Sequence, residues 1–185
     1  MAVSPPVCNF GWKAANFELP DTDGKRWNLA SLQGPNGMLL MFICNHCPYV
    51  MTVIDRLRRD VAEVQQLGIG VAAIMSNDTV AYPDDSYDNM QRVARQYGFT
   101  FPYLFDATQE VARAYGAACT PDFFGFNSKG ELQYRGRLDS SGRTPATPET
   151  KRELVEAMRL ITATGKGPEH QVASIGCSIK WKSAE

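Results

Sequence analysis

The sequence predicts an α/β domain with a central mixed sheet flanked by helices and a hairpin on its N-terminal side. Three observations carry this. MLLMFIC (38–44) is a continuous apolar run of the kind that forms a strand buried on both faces. The segment after it places Val50, Val53, Ile54, Leu57, Val61 and Val64 on one helical face and stops at Gly68. GIGVAAIM (68–75) is strand-like again, and strand, helix, strand at this length is a βαβ unit with a right-handed crossover.

The remaining elements follow in order. NFELPDTDGKRWNL pairs two short extended segments around Asp21-Thr22-Asp23-Gly24, which is turn chemistry, so a hairpin is expected there. SNDTVAYPDDS (76–86) is loop-like, and YDNMQRVARQYG resumes a helical pattern that ends at Gly98. FPYLFD is a short extended piece, TQEVARAYG a helix, and TPDFFGFNSKGELQYRGRL a hairpin turning at Asn127-Ser128-Lys129-Gly130. PETKRELVEAMRLITATG is the last helix. Beyond it, residues 165–185 include Ile175, Ile179 and Trp181, so the tail is expected to pack, on the face away from the cysteine pair described below. One domain over 1–185 is expected, with a core of about 12–164; 185 residues suffice for one well-buried core.

A formal net charge of −1 offers no basic field for nucleic acid or an acidic membrane. No window approaches the roughly 18 apolar residues of a spanning helix, and the start lacks a signal-like pattern, so a cytoplasmic protein is expected. Five cysteines, Cys8, Cys44, Cys47, Cys119 and Cys177, are too few and too scattered for a disulfide scaffold.

Chemistry concentrates in FICNHCPYVM (42–51). Cys-x-x-Cys where a strand hands over to a helix is the thioredoxin-type redox arrangement. With Pro48 as the first helical residue, Cys47 is the cap, where its sulfur can accept from the amides of Tyr49 and Val50 and where the dipole lowers a thiol pKa. Cys44, at the strand end, lacks that help. Cys47 is therefore the expected attacking thiolate and Cys44 the expected resolving partner, the reverse of the order in thioredoxin. Thr120-Pro121, entering a strand after a helix, is the candidate cis-proline, with the Thr120 main chain free to pair with an extended substrate.

The chain resembles the peroxiredoxin-like (AhpC/TSA, redoxin) branch of the thioredoxin superfamily over about residues 12–164, with features of TlpA-type thiol-disulfide oxidoreductases. The resemblance rests on NFELPDTDGKRWNLASL, the strand-to-helix cysteine site, the insertion SNDTVAYPDDSYDNMQRVARQYGFTFPYLFDATQEVARAYGA, and CTPDFFGFNSKGELQYRGRLD. It implies a thioredoxin-like fold, action on protein or small-molecule disulfides or peroxides, an upstream thiol reductant, and no dissociable cofactor. The peroxidatic pattern Pro-x-x-x-Thr/Ser-x-x-Cys matches neither cysteine, whereas Phe42 stands five positions before Cys47 as in the TlpA type.

Two alternatives stand beside thiol-disulfide exchange. One is a thiol peroxidase in which Cys47 becomes a sulfenic acid resolved by Cys44, Cys119 or Cys177. The other is copper or zinc binding, or redox sensing, by Cys44, His46 and Cys47, with His170, Cys119 or Cys177 as further ligands. His46 either tunes the thiolate or points away. Cys119 and Cys177 are each an auxiliary thiol or a packing residue, and Cys8 and His170 are bystanders. Arg137 or Arg135 either aims a guanidinium at the site, as the resemblance implies, or is a solvated edge charge. Arg56, Arg58, Arg59 and Asp60 are expected on a solvated helix face.

Overall fold

The computed structural model describes residues 1–5 and 10–183; Cys8 lies outside the described residues. In chain order the elements are β1 (Ala2–Val3), β2 (Glu18–Pro20), β3 (Arg26–Asn28), α1 (Leu29–Leu32), β4 (Gly37–Phe42), α2 (Pro48–Met51), α3 (Ile54–Gln66) and β5 (Ile69–Met75). A 3₁₀ turn at Pro83–Asp85 is followed by α4 (Tyr87–Gln96), β6 (Tyr103–Phe105), α5 (Glu110–Tyr115), β7 (Cys119–Thr120), β8 (Asp122–Asn127), β9 (Leu132–Tyr134), α6 (Glu153–Thr164) and β10 (Gly176–Ser178).

The central sheet is mixed: β5 and β6 are parallel, while β4–β8 and β8–β9 are antiparallel. The Ile43 amide donates to Ile74 O at 3.0 Å and ties the end of β4 to β5. Every residue of β4 is buried, because both faces of the sheet are covered. Leu39, Met41 and Ile43 face a core shared with α3 and α6, whereas Met38, Leu40 and Phe42 face one with Tyr115, Phe124 and Phe126. A run without polar alternation is thus what the period-2 geometry requires here. Gly70 lets β5 pass the Leu32 carbonyl, which a Cβ would overlap.

The N-terminal hairpin forms at the expected turn, with Asp21 Oδ1 accepting from the amides of Asp23 and Lys25, each at 2.9 Å. The second hairpin turns on Asn127, whose Oδ1 accepts from the Lys129 and Glu131 amides. The long helix expected after Pro48 is broken, because α2 ends at Met51 and α3 starts at Ile54. Thr52 lies in the break and donates its hydroxyl to Pro48 O at 2.7 Å, side-chain competition of the kind that bends helices. The apolar stripe survives the break: Val50, Val53, Ile54, Leu57, Val61 and Val64 are all buried.

Two expectations are corrected. Asp60 is fully buried, with its Oδ1 held by Arg59 and Arg152, and Arg56 pairs with buried Asp139 at 2.7 Å. At Asp60 and Arg56 this helix face is therefore an ion-paired seam rather than a solvated one, whereas Arg59 is exposed and Arg58 pairs with exposed Asp55; Arg152 and Asp139 are distant in sequence, so the helical pattern alone does not reveal them. The tail also docks on the other side from that expected. β10 pairs antiparallel with β7, with Cys177 opposite Thr120, and β1 pairs on its outer edge. Gly176 permits this, since a Cβ there would overlap the Thr120 carbonyl.

Candidate active site

β4 and the turn after it deliver Cys44 to the end of the sheet, and Cys47 is the N-cap residue of α2, with Pro48 at the first helical position. The Cys47 backbone is extended (φ −68°, ψ 120°), but its sulfur makes no capping hydrogen bond. The expected acceptance from the Tyr49 and Val50 amides does not occur; the Val50 amide donates to Cys47 O instead. The Cys47 thiol turns toward β7 and donates to Thr120 O at 3.1 Å, while Cys44 Sγ lies 3.4 Å from the Thr120 hydroxyl. The Thr120-Pro121 peptide is cis, as the sequence suggested.

The electrostatics separate the two sulfurs. The Cys47 thiol is lowered from an ordinary 9.0 to about 4, chiefly because the Cys44 thiol donates to its ionised form; burial opposes this, and the Thr120 hydroxyl and the thiol and amide of Cys177 add to it. Cys44 is pushed far up, first by that same bond to Cys47, then by burial and by the charge of Asp85. A thiolate at Cys47 and a retained proton at Cys44 are two sides of one interaction. The cause is sulfur-to-sulfur and tail hydrogen bonding rather than the side-chain cap proposed from sequence.

Asp85 is the participant that sequence reasoning missed. It is fully buried, with Oδ1 accepting from the Asn45 amide at 2.8 Å and Oδ2 from Asn77 Nδ2 at 2.7 Å. His46 Nδ1 approaches Asp85 Oδ2 to 2.9 Å but is poorly aligned for a hydrogen bond, and its ring stacks over Tyr82. Among the described residues the group able to share a metal ion is Cys44, His46 and Asp85, each with an atom within 4.8 Å of the others. The expected set with Cys47 as third ligand does not assemble, because Cys47 Sγ is directed at Thr120. Asp85 lies two residues after Pro83 in a polar loop, and the Asp84-Asp85 pair after Tyr-Pro was its only sequence signal.

The other candidates divide. Cys177 comes to the site on β10, and its thiol is raised first by burial and then by its bond to Cys47. Cys119 is fully buried, donates to Pro121 O at 3.5 Å and is pushed well up, mainly by burial. Arg137 is bidentate to Glu153, at 2.6 and 3.0 Å, so its guanidinium is engaged there and not aimed at Cys47. Arg135 is no solvated edge charge: it is buried, pairs with Asp122 at 2.9 Å and donates to Gly116 O at 2.7 Å. A cleft beside the cysteines is lined by Tyr49, Pro121, Phe123, Arg143, Val172 and Ile175. His170 is exposed, as expected of a tail residue.

The sequence profile of the AhpC/TSA family matches residues 10–135. The chain belongs to the AhpC/TSA family. Among curated relatives it is 27% identical over 129 residues to "Thiol-disulfide oxidoreductase ResA" of Bacillus subtilis, covering 66% of this chain and 64% of that protein. It is 25% identical over 155 residues to "Putative peroxiredoxin Rv2521" of Mycobacterium tuberculosis, covering 84% of this chain and 87% of that one. An uncharacterized conserved protein of Geobacillus kaustophilus, known as a crystal structure, is 42% identical with a TM-score of 0.93, covering 100% and 98% of the two chains. The thioredoxin domain of a Bacteroides vulgatus thiol-disulfide oxidoreductase superposes with a TM-score of 0.58 at 13% identity over 70% of this chain and 89% of that one, which bears on fold alone. The fold is thioredoxin-like, with a mixed sheet between helices, and within this AhpC/TSA chain the insertion after β5 supplies Asp85. Among the described residues no helix is long and apolar enough to cross a membrane.

Proposed function

We propose that this protein is a thiol-disulfide oxidoreductase in which Cys47 attacks and Cys44 resolves. The observation that carries this is the placement of both sulfurs beside Thr120, Cys47 Sγ 3.1 Å from its carbonyl and Cys44 Sγ 3.4 Å from its hydroxyl, with the Cys47 thiol lowered and the Cys44 thiol raised. The Cys47 thiolate attacks one sulfur of a substrate disulfide; that S–S bond breaks, a thiolate leaves, and a mixed disulfide forms. Cys44 then gives up its proton and attacks the Cys47 sulfur, releasing the second substrate thiol and leaving a Cys44–Cys47 bond. An upstream thiol reductant restores the dithiol, and no dissociable cofactor takes part. The names of the relatives, a thiol-disulfide oxidoreductase and a putative peroxiredoxin, support this class of chemistry, and a reducing cytoplasm suits it.

The test is substitution with mass analysis. Cys47→Ser should abolish disulfide reduction, and Cys44→Ser combined with Cys177→Ser should still attack but stall as a mixed disulfide. Faster alkylation of Cys44 than of Cys47 at pH 6 sinks the assignment. One observation favours a second activity, thiol peroxidase: the tail brings Cys177 to Cys47, where it can resolve a sulfenic acid. Rapid consumption of hydrogen peroxide by the reduced protein distinguishes the two.

A further inference from the structure

The attacking sulfur is closed off in the resting fold. Cys47 is 0% exposed, and β10 lies along the Thr120 edge that an extended substrate would use, with Cys177 directly opposite Thr120. The strand is held at both ends. Upstream, Arg137 N donates to Val172 O and the Ser174 hydroxyl to Gly136 O, each at 2.8 Å. Downstream, Lys180 N donates to Asn77 Oδ1 at 2.9 Å and Asp78 N to Lys180 O at 2.8 Å. Ser174 and Ile179 are buried, whereas Ile175 between them is 53% exposed. Residues 175–178 thus form a strap with little apolar burial of its own, held between the two anchors by short ladders to β7 and β1 of two residue pairs each, and such segments open at low free-energy cost.

We propose that this strap is a redox latch: Cys177 forms a disulfide with Cys47, alternative to Cys44–Cys47, and that bond clamps β10 over the substrate edge. The latch rests on Cys47 being the attacking thiolate. Its chemistry needs one external disulfide, RSSR. When the strap lifts, the Cys47 thiolate attacks RSSR, forming Cys47–S–S–R and releasing RS⁻, which takes up a proton. Cys177 loses its proton and attacks the Cys47 sulfur as the strand settles, releasing the second RS⁻, which takes up that proton. Two protein thiols are oxidised and one RSSR is reduced to two RSH. Reduction of the bridge by an external dithiol frees the strap, so substrate access follows the thiol poise of the surroundings.

Oxidised glutathione serves as RSSR in the test. Reduced Cys44→Ser protein, treated with one equivalent and analysed by peptide-level mass spectrometry, should give the Cys47–Cys177 bridge as the major product with two equivalents of glutathione released. Adding Gly176→Val places a side chain against the Thr120 carbonyl. It should lower the bridge yield and raise iodoacetamide labelling of reduced Cys47 by about tenfold, equivalent to ~1.4 kcal/mol of lost closure. The bridge yield in Cys44→Ser leaves the strap sequence untouched, so it decides the matter even where the valine variant does not fold. A persistent Cys47–glutathione adduct, or a Cys47–Cys119 bridge, in Cys44→Ser overturns the latch while leaving Cys47 as nucleophile. No product at Cys47 at all overturns that assignment, and the latch with it.

Discussion

Cys177 faces Thr120 across an antiparallel ladder, and the Thr120 carbonyl accepts a hydrogen bond from the Cys47 thiol at 3.1 Å. One residue of β7 therefore lies between the Cys47 sulfur on one side and the C-terminal strand on the other. Of the four cysteines among the described residues, three meet around this threonine, and the fourth, Cys119, is its neighbour in sequence.

A first expected outcome concerns pH. With Cys47 lowered to about 4, its alkylation rate should stay level from neutral pH down to about pH 5 and fall as pH passes through 4. Cys44→Ala removes the largest cause of the shift, so the midpoint should move upward. The linkage has a definite sign: the folded-state value lies below the ordinary 9.0, so this group's contribution to stability is complete above about pH 9 and is lost as pH falls through about 4. A midpoint unchanged in Cys44→Ala would show that the hydrogen bond between the sulfurs is not the cause.

Arg135→Met should unfold the protein more easily than most single changes. It strands buried Asp122, whose carboxyl is already raised by burial and is held down by Arg135. Removing one member of a buried pair costs about 3–5 kcal/mol. Asp122→Asn in the same chain should recover part of the loss, because an amide needs no counter-charge. Urea midpoints of the single and double variants measure this.

Much of this arrangement was legible in the sequence, and the rest was hidden for physical reasons. β4, β5 and α3 were readable because their apolar patterns follow from the faces they bury, and both hairpin turns announced themselves through Asp21 and Asn127. Cys47 could be placed at the head of a helix because Pro48 fixes that position. What was misjudged depends on contacts distant in sequence: Asp60 meets Arg152, Asp85 meets Asn45, and Cys177 meets Thr120. The side of the sheet chosen by the tail turns on Gly176 fitting against a carbonyl, which no local pattern encodes. The cause of the Cys47 shift was likewise misplaced, because rotation of one sulfur toward β7 exchanged backbone donors for thiols.

Cys119→Ala should leave disulfide exchange unchanged. Its thiol is buried, donates to Pro121 O and is kept protonated by its surroundings, so it lacks the thiolate that exchange requires. Steady-state reduction of a model disulfide by the variant within about twofold of the parent, a difference of roughly 0.4 kcal/mol, bears this out. A larger loss assigns Cys119 a part in the chemistry.

Asp85→Asn separates the electrostatic role of this residue from its structural one. The carboxylate raises the Cys44 thiol through its charge and also receives the Asn45 amide and the Asn77 side chain. Asparagine keeps one carbonyl oxygen for the Asn45 amide but brings an NH₂ toward the Asn77 donor, so part of the network is lost and stability should fall by about 1–3 kcal/mol. The effect on chemistry has the opposite sense. Without the negative charge, Cys44 ionises more readily, and the step in which it attacks the mixed disulfide should speed up at neutral pH, whereas the first attack by Cys47 changes little. Stopped-flow decay of a preformed Cys47 mixed disulfide, set beside the rate of its formation, tells the two steps apart. If both slow together, Asp85 acts by shaping the loop that carries Asn45 and His46, and its charge on Cys44 is immaterial to turnover.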